Sequence, residues 1–518
     1  MRTLVVLGLL LGLAWLVLAQ IPPNMDDFSY YHLLACQAYP EARAHGFYQP
    51  CDGLYDLEVL GRWLPIRSYP YIGATPSWLY RPIHALFPHY ESARAMGLGL
   101  ALLFLAGIVR LTRLRSAAAS LLLIGQAPLL LMFGFHAPVG FQFVALVWAL
   151  VFALRLAEGG KSVTVTAATA IGTGALLAAA FETKPLFVVV VPGMILLFLG
   201  SLARVAAPAR SALRLSAAAA VGAGLTLPVL LATNRSGMAY WEELMGNATW
   251  IAWSDLGGQA SHAASFLHPF LSNFSNFAHR SFGLVTGPGL ALTVLFWALA
   301  AGLGALGWRR LDRSSARQLV CALLAFALTL VMLNCTQASW AAHHIVMAFP
   351  FLWIAQAIAL RGALACRPRV AALLVAGILA TQAIILALIP QHEPLAHTDW
   401  SRIRISRFLA ESGLSERSVI TTLDWGHYYL QSLYGSPGQL VIWVSPATRA
   451  DLEELDRIAR DRGRGHAFVF LKTHEAERVA LIRSVFPAAL PAQADFGGEW
   501  ALWTTPANLA SRIATKSP

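Results

Sequence analysis

Charge is the first scarcity in this chain. Only 13% of its 518 residues are Asp, Glu, Lys or Arg, while 57% are hydrophobic and the mean hydropathy is +0.58. That much apolar surface exceeds what a water-soluble core can hide, so an ordinary soluble protein is excluded. Lysine is scarcer still: Lys161, Lys184, Lys472 and Lys516 are all there is, and arginine carries the rest of the positive charge. That bias, with heavy Ala and Leu use, points to a GC-rich bacterial genome. The sequence has no CxxC and no HExxH, hence no zinc signature. No cofactor is expected, and a divalent metal is not indicated. Solenoid repeats and low-complexity linkers are absent too.

What is abundant is long apolar runs. Segments able to cross ~30 Å of hydrocarbon as helices of ~17–25 residues fall at 3–21, 93–112, 117–135, 139–157, 163–181, 185–203, 213–233, 285–307, 317–335, 341–360 and 369–390. They predict a polytopic α-helical membrane protein of about eleven crossings. Arginine clusters mark every second loop: Arg110, Arg113 and Arg115; Arg155 with Lys161; Arg204, Arg210 and Arg214; Arg309, Arg310, Arg313 and Arg317; Arg361, Arg367 and Arg369. Short basic loops stay cytoplasmic. The N-terminus is therefore expected inside, with 22–92, 234–284 and 391–518 outside. The net charge of +11 is largely this topological excess and calls for no nucleic-acid partner.

Val17-Leu18-Ala19 before Gln20 also has the small residues of a signal-peptidase site, but the preceding run is long enough to remain as an anchor. Cys36 and Cys51 share the first external loop, where an oxidising compartment would permit a disulfide or leave two thiols. That loop is rich in Tyr, Trp, Pro and short polar residues, a composition shared by interfacial aromatic belts and by a sugar-binding surface whose arginines could grip a phosphate. In 234–284, Trp241, Trp250 and Trp253 suit a helix lying in the interface.

After Pro390-Gln391-His392-Glu393-Pro394 the composition changes. Short buried strands are expected at 419–423, 440–444, 467–471 and 499–503, and helices at 448–462 and 474–486, giving a C-terminal soluble α/β domain over 391–518 attached to a membrane domain over 1–390. Asp424-Trp425-Gly426-His427-Tyr428-Tyr429 follows the first of these strands, where α/β folds place functional loops. Acceptor binding and ordinary loop packing both fit it.

The carboxylates that stand out are Asp26 and Asp27, a few residues beyond the first span, in interfacial water where they stay ionised cheaply. A carboxylate there can take the proton of a hydroxyl attacking at the membrane surface, a gain of ~10²–10⁴-fold for general bases. N-capping or interfacial solvation is the competing role. Adjacent residues point ~100° apart on a helix, so one of the two, Asp26 first, would face the reacting atom.

The acidic pair followed by Tyr30, the run Trp340-Ala341-Ala342-His343-His344-Ile345-Val346-Met347-Ala348-Phe349-Pro350, and many helices followed by an external α/β domain together resemble the GT-C glycosyltransferases. These are polytopic enzymes that use polyprenyl-phosphate-linked sugars, and the resemblance is to the bacterial protein O-mannosyltransferase and aminoarabinose transferase branches. The pair is Asp-Asp here, whereas the family commonly has Asp-Glu.

The resemblance implies an inverting transferase in a bacterial inner membrane. It would take sugar from a polyprenyl-phosphate donor and give it to an extracytoplasmic glycan, lipid or protein, with Asp26 and Asp27 as catalytic candidates. Tyr30 and the external cations Arg67, Arg81, Lys184, Arg280, His343 and His344 are the substrate-binding candidates, suited to a departing phosphate. Lys184 breaks the positive-inside pattern in the turn Phe181-Glu182-Thr183-Lys184-Pro185, where a local Glu–Lys ion pair is the alternative. A transporter or a non-catalytic envelope-assembly protein are the rival functions.

Overall fold

The structure is a computed structural model. It describes residues 56–59, 62–69, 72–88, 91–114, 133, 137–158, 162–202, 208–235, 257, 288–335, 346–388, 400–424, 427–434, 438–444, 446–492 and 494–505. Contacts divide the described residues between two compact units. One lies within Pro70–Thr75 and Ala93–Ala396, the other within Pro22–Tyr69, Pro76–Ser92 and His397–Pro518.

The first unit is helical. After the short strand β4 (Ile72–Gly73) and the start of α1 (Thr75–Leu86) come α2 (Glu91–Thr112), α3 (Ala137–Glu158), α4 (Val163–Thr183), a 3₁₀ turn Pro185–Val190, α5 (Val191–Ser201), α6 (Pro208–Arg235), α7 (Pro288–Trp308), α8 (Arg313–Asn334), α9 (Phe349–Cys366) and α10 (Pro368–Leu388). Among the described residues, five spans are long and apolar enough to cross a membrane: Glu91–Thr112, Pro138–Glu158, Val163–Thr183, Arg313–Asn334 and Val346–Cys366. Shorter apolar helical stretches are Leu186–Ser201, Leu213–Leu227, Val294–Trp308 and Pro368–Ile384. The expected span at 3–21 and all but Phe133 of that at 117–135 lie outside the described residues. The run expected at 185–203 begins as a 3₁₀ turn because Pro185 cannot supply the N–H that would continue α4.

Two kinds of contact hold these helices. The fully buried Trp353 of α9 meets Phe104 and Phe143 edge-on, with centroids 5.5 Å and 5.6 Å away, a geometry aromatic quadrupoles favour. Elsewhere backbones touch. A Cβ on Gly307 of α7 would strike the carbonyl of Ala359 in α9, and one on Gly362 would strike the carbonyl of Gly307. A Cβ on Gly174 of α4 would likewise meet the carbonyl of Ala218 in α6. Small residues permit such close approach between apolar helices.

One end of this bundle is tied by arginines donating to carbonyls in the last turns of neighbouring helices, where the regular i+4 donors run out. Arg361 Nη1 donates to Thr112 O at 2.7 Å, Arg214 Nη1 to Leu156 O at 3.0 Å and Arg317 Nη2 to Leu199 O at 3.3 Å.

The second unit contains the antiparallel hairpin of β1 (Asp56–Val59) and β2 (Arg62–Pro65), the strand β3 (Arg67–Tyr69), and a five-stranded sheet. That sheet is formed by β5 (Ser418–Thr422), β6 (Leu440–Trp443), β7 (Gly465–Leu471), β8 (Leu490–Pro491) and β9 (Trp500–Thr504), in the order β6-β5-β7-β9-β8. β6, β5 and β7 run parallel; β9 pairs antiparallel with β7 and with β8. The strand expected last in the sheet is thus interior, with the two-residue β8 outside it. Helices α11 (Ser401–Glu411), α12 (Leu414–Arg417), α13 (Tyr428–Tyr434), α14 (Arg449–Asp461) and α15 (Glu475–Val485) complete the unit. α14 starts where the sequence says it should, because Thr448 and Asp451 form a reciprocal capping box. Its Leu452, Leu455 and Ile458 pack with Phe468 and Phe470 in the core.

Candidate functional site

The turn after α4 is the best-defined polar feature at the end of the bundle opposite the arginines. Helix α4 stops at Thr183, and Lys184, with φ −157° and ψ 111°, is the extended cap before Pro185. The residue before a proline is driven out of helical geometry, so this turn is written into Lys184-Pro185. The Lys184 carbonyl accepts from Gln142 Nε2 at 2.7 Å and from the Phe187 N–H at 2.9 Å. Gln142, in the second turn of α3, is 1% exposed and also donates to Ala180 O at 2.8 Å. Its Oε1 has no hydrogen-bond partner among the described residues.

From the other side the turn is held by residues over a hundred positions away. Thr75 Oγ1 donates to Glu182 Oε2 at 3.0 Å, and Gly73 packs so tightly that a Cβ there would collide with the Glu182 carboxylate and carbonyl. Glycine is required by that approach, not by its dihedrals. Lys184 itself is 3% exposed and Arg94, in the first turn of α2, 1%. Both are partnered, as a cation withdrawn from water must be. Two buried cations and one buried carboxamide oxygen therefore occupy the arginine-poor end of the bundle.

The other site residues expected from sequence fall as follows. Asp26, Asp27, Tyr30, Arg280, His343 and His344 lie outside the described residues. Arg67 is on β3, and its side chain is outside the description as well. Arg81 is exposed on α1 and belongs to the unit other than that of Lys184. Arg94 and Gln142 were missed by sequence reasoning. The signal for Arg94 was a charge inside the first turn of an expected span, which is costly there and marks function by default.

In the second unit, Asp424 sits just past β5, beside the end of the parallel neighbour β7. Its Oδ2 accepts from the Leu471 N–H at 2.9 Å, and its Oδ1 meets His474 Nδ1 and Arg478 Nη2, both at 3.0 Å. His427 is fully buried against Trp500, centroids 5.8 Å apart. Burial, then the charge of Arg402, lower its pKa to about 3, with Gln431 acting weakly the other way. His427 is therefore a neutral packing group. The internal bonding of Asp424 and this burial favour the packing role for Asp424 and His427.

No protein-family model and no curated protein matches the chain. A helical membrane bundle with a cationic turn at its arginine-poor end, together with a unit built on a mixed sheet, is the class these observations define. Solved structures share the fold. The structure of ArnT from Cupriavidus metallidurans bound to undecaprenyl phosphate superposes with a TM-score of 0.61 at 14% identity, over 96% of this chain and 97% of that one. The apo form of the same protein gives 0.59 at 14%, over 98% of each. The chain thus shares its fold with these structures along nearly its whole length.

Proposed function

We propose that this protein is a membrane glycosyltransferase that takes a sugar from a polyprenyl-phosphate donor and gives it to an acceptor on the outer side of a bacterial inner membrane. The observation that carries the reading is the full-length GT-C fold, shared with a protein solved with undecaprenyl phosphate. The buried cations at the arginine-poor end add to it. An apolar cavity of ≈ 440 Å³, lined by Phe181 and Phe187, which flank the Lys184 turn in sequence, and by Met194, Phe198 and Leu215 among others, suits a prenyl chain.

In this reading the chain crosses the membrane about eleven times with its N-terminus inside and residues 391–518 outside. Asp26 or Asp27 takes the proton from the acceptor hydroxyl as its oxygen attacks the anomeric carbon. The C–O bond to the phosphate breaks on the opposite face, and the configuration inverts. Lys184, with Arg67, Arg81, Arg280, His343 and His344, stabilises the departing phosphate dianion, and Tyr30 orients the donor. Arg94 joins the phosphate-binding cations on the strength of its burial.

Purified protein in proteoliposomes with labelled undecaprenyl-phosphate sugar and envelope acceptors tests this. Asp26→Asn should lower transfer by ~10²-fold or more while leaving donor binding intact. Lys184→Ala should chiefly raise the donor KM. Unaltered transfer by Asp26→Asn, Asp27→Asn and the double variant would remove the base assignment and favour a binding or assembly role.

A further inference from the structure

A second cavity, polar and of ≈ 400 Å³, lies at the arginine-rich end of the helical unit, away from the Lys184 turn. Arg110, Arg113, Arg155, Glu158, Ser201 and Gln318 line it. They come from the C-terminal ends of α2, α3 and α5 and the N-terminal turns of α8. Gln318 Nε2 donates to Ser201 Oγ at 3.3 Å, tying α8 to α5 across it. Its size falls within the ~300–1,000 Å³ of small-ligand sites.

Arginines that merely fix topology need not converge on a cavity, and several at this end have other work. Arg214, Arg317 and Arg361 donate to helix carbonyls. Arg110, Arg113 and Arg155 make no hydrogen bond or ion pair among the described residues, yet surround one volume with a single carboxylate, Glu158, among them. Arg113 is further singled out by its backbone. With φ +58° it is the only described non-glycine residue in the left-handed region, ending α2 where Leu114 N–H returns to Val109 O at 3.1 Å. Glycine fits that position without strain; an arginine there puts a guanidinium at the cavity instead. Three guanidiniums against one carboxylate leave the volume cationic.

We infer that this cavity binds the phosphate of an anionic lipid headgroup in the leaflet on the arginine-rich side. Guanidinium forks match phosphate oxygens bidentately, and basic pockets between membrane helices are suited to such headgroups. The site is independent of the proposed transfer reaction.

The test uses delipidated full-length protein in neutral detergent, with lipid binding read by native mass spectrometry. The probes are phosphatidylglycerol, phosphatidylcholine of the same chains, and inorganic phosphate. Wild type should bind phosphatidylglycerol at least about tenfold more tightly than phosphatidylcholine. At about fivefold per arginine, Arg110→Ala with Arg155→Ala should weaken phosphatidylglycerol about 30-fold. Arg309→Ala with Arg310→Ala removes the same charge from exposed positions outside the cavity and should change it less than about threefold.

Inorganic phosphate that displaces the lipid from wild type supports a phosphate-reading site. Phosphate that binds as tightly as the lipid makes the free anion the occupant and overturns the headgroup. Equal losses in the two double variants, or no preference in wild type, overturn the site itself. Should the alanine pair fail to fold, Arg110→Lys with Arg155→Lys keeps the charge and loses the fork, and an intermediate loss is expected.

Discussion

Gly73→Ala is a one-methyl perturbation whose consequence can be worked through to donor binding. The added Cβ would lie among both carboxylate oxygens and the carbonyl oxygen of Glu182. The carboxylate could rotate away, at the expense of its bond from Thr75. The carbonyl belongs to the last turn of α4 and cannot. The turn must therefore shift, carrying Lys184 two residues on. Overpacking of this kind costs about 1–3 kcal/mol. If that cost falls on the donor-bound arrangement, the KM for the polyprenyl-phosphate sugar rises about 5- to 150-fold with kcat less affected.

The control is Gly99→Ala. A Cβ there meets nothing within 4 Å, and a helix-interior glycine replaced by alanine gains about 0.5–1 kcal/mol. Steady-state transfer in proteoliposomes and thermal unfolding of both variants decide the matter. If Gly73→Ala behaves as Gly99→Ala does in both measurements, the turn does not position Lys184 for the donor.

Two further outcomes follow from the second unit. Asp424→Ala should destabilise it by about 3–5 kcal/mol, because Arg478, with 10% of its side chain exposed, loses its buried partner and keeps only the exposed Glu477; limited proteolysis in denaturant would report early cleavage within 400–505. Stability of the same unit should fall on acidification. His427 and His466, lowered to about 3 and about 4 mainly by burial, stay neutral when folded while the unfolded chain takes up protons below its usual 6.5. Their contribution is complete above pH 6.5 and is lost progressively down to about pH 3. Between pH 7.5 and 5 each accounts for about 2 kcal/mol, and His427→Gln should remove roughly half of the change in proteolytic midpoint.

Patterns of short range were legible in the sequence. Hydropathy located helices such as Val163–Thr183 and Arg313–Asn334 to within a few residues, and short apolar runs located β5, β6, β7 and β9. The helix expected at 448–462 is α14, and its start is fixed by the Thr448 cap. Relations between distant positions were not legible. Gly73 and Thr75 act on Glu182 across more than a hundred residues, and Asp424 finds Arg478 fifty-four residues on; no local periodicity encodes either pairing. Lys184 was found because it breaks a charge rule, whereas Gln142 breaks none and shows its importance only through what it donates to. β8 was missed because two residues make no apolar run.

The glycine contacts between α7 and α9 have a mechanical consequence. Packed helices slide past one another by small changes in the side chains between them. Where Gly307 and Gly362 bring main chain against main chain, there is no such layer to yield, and each helix keys the other like a tooth in a notch. α7 and α9 therefore travel together. Any rearrangement of the helical unit must leave this pair intact, a fixed post about which the other described helices adjust.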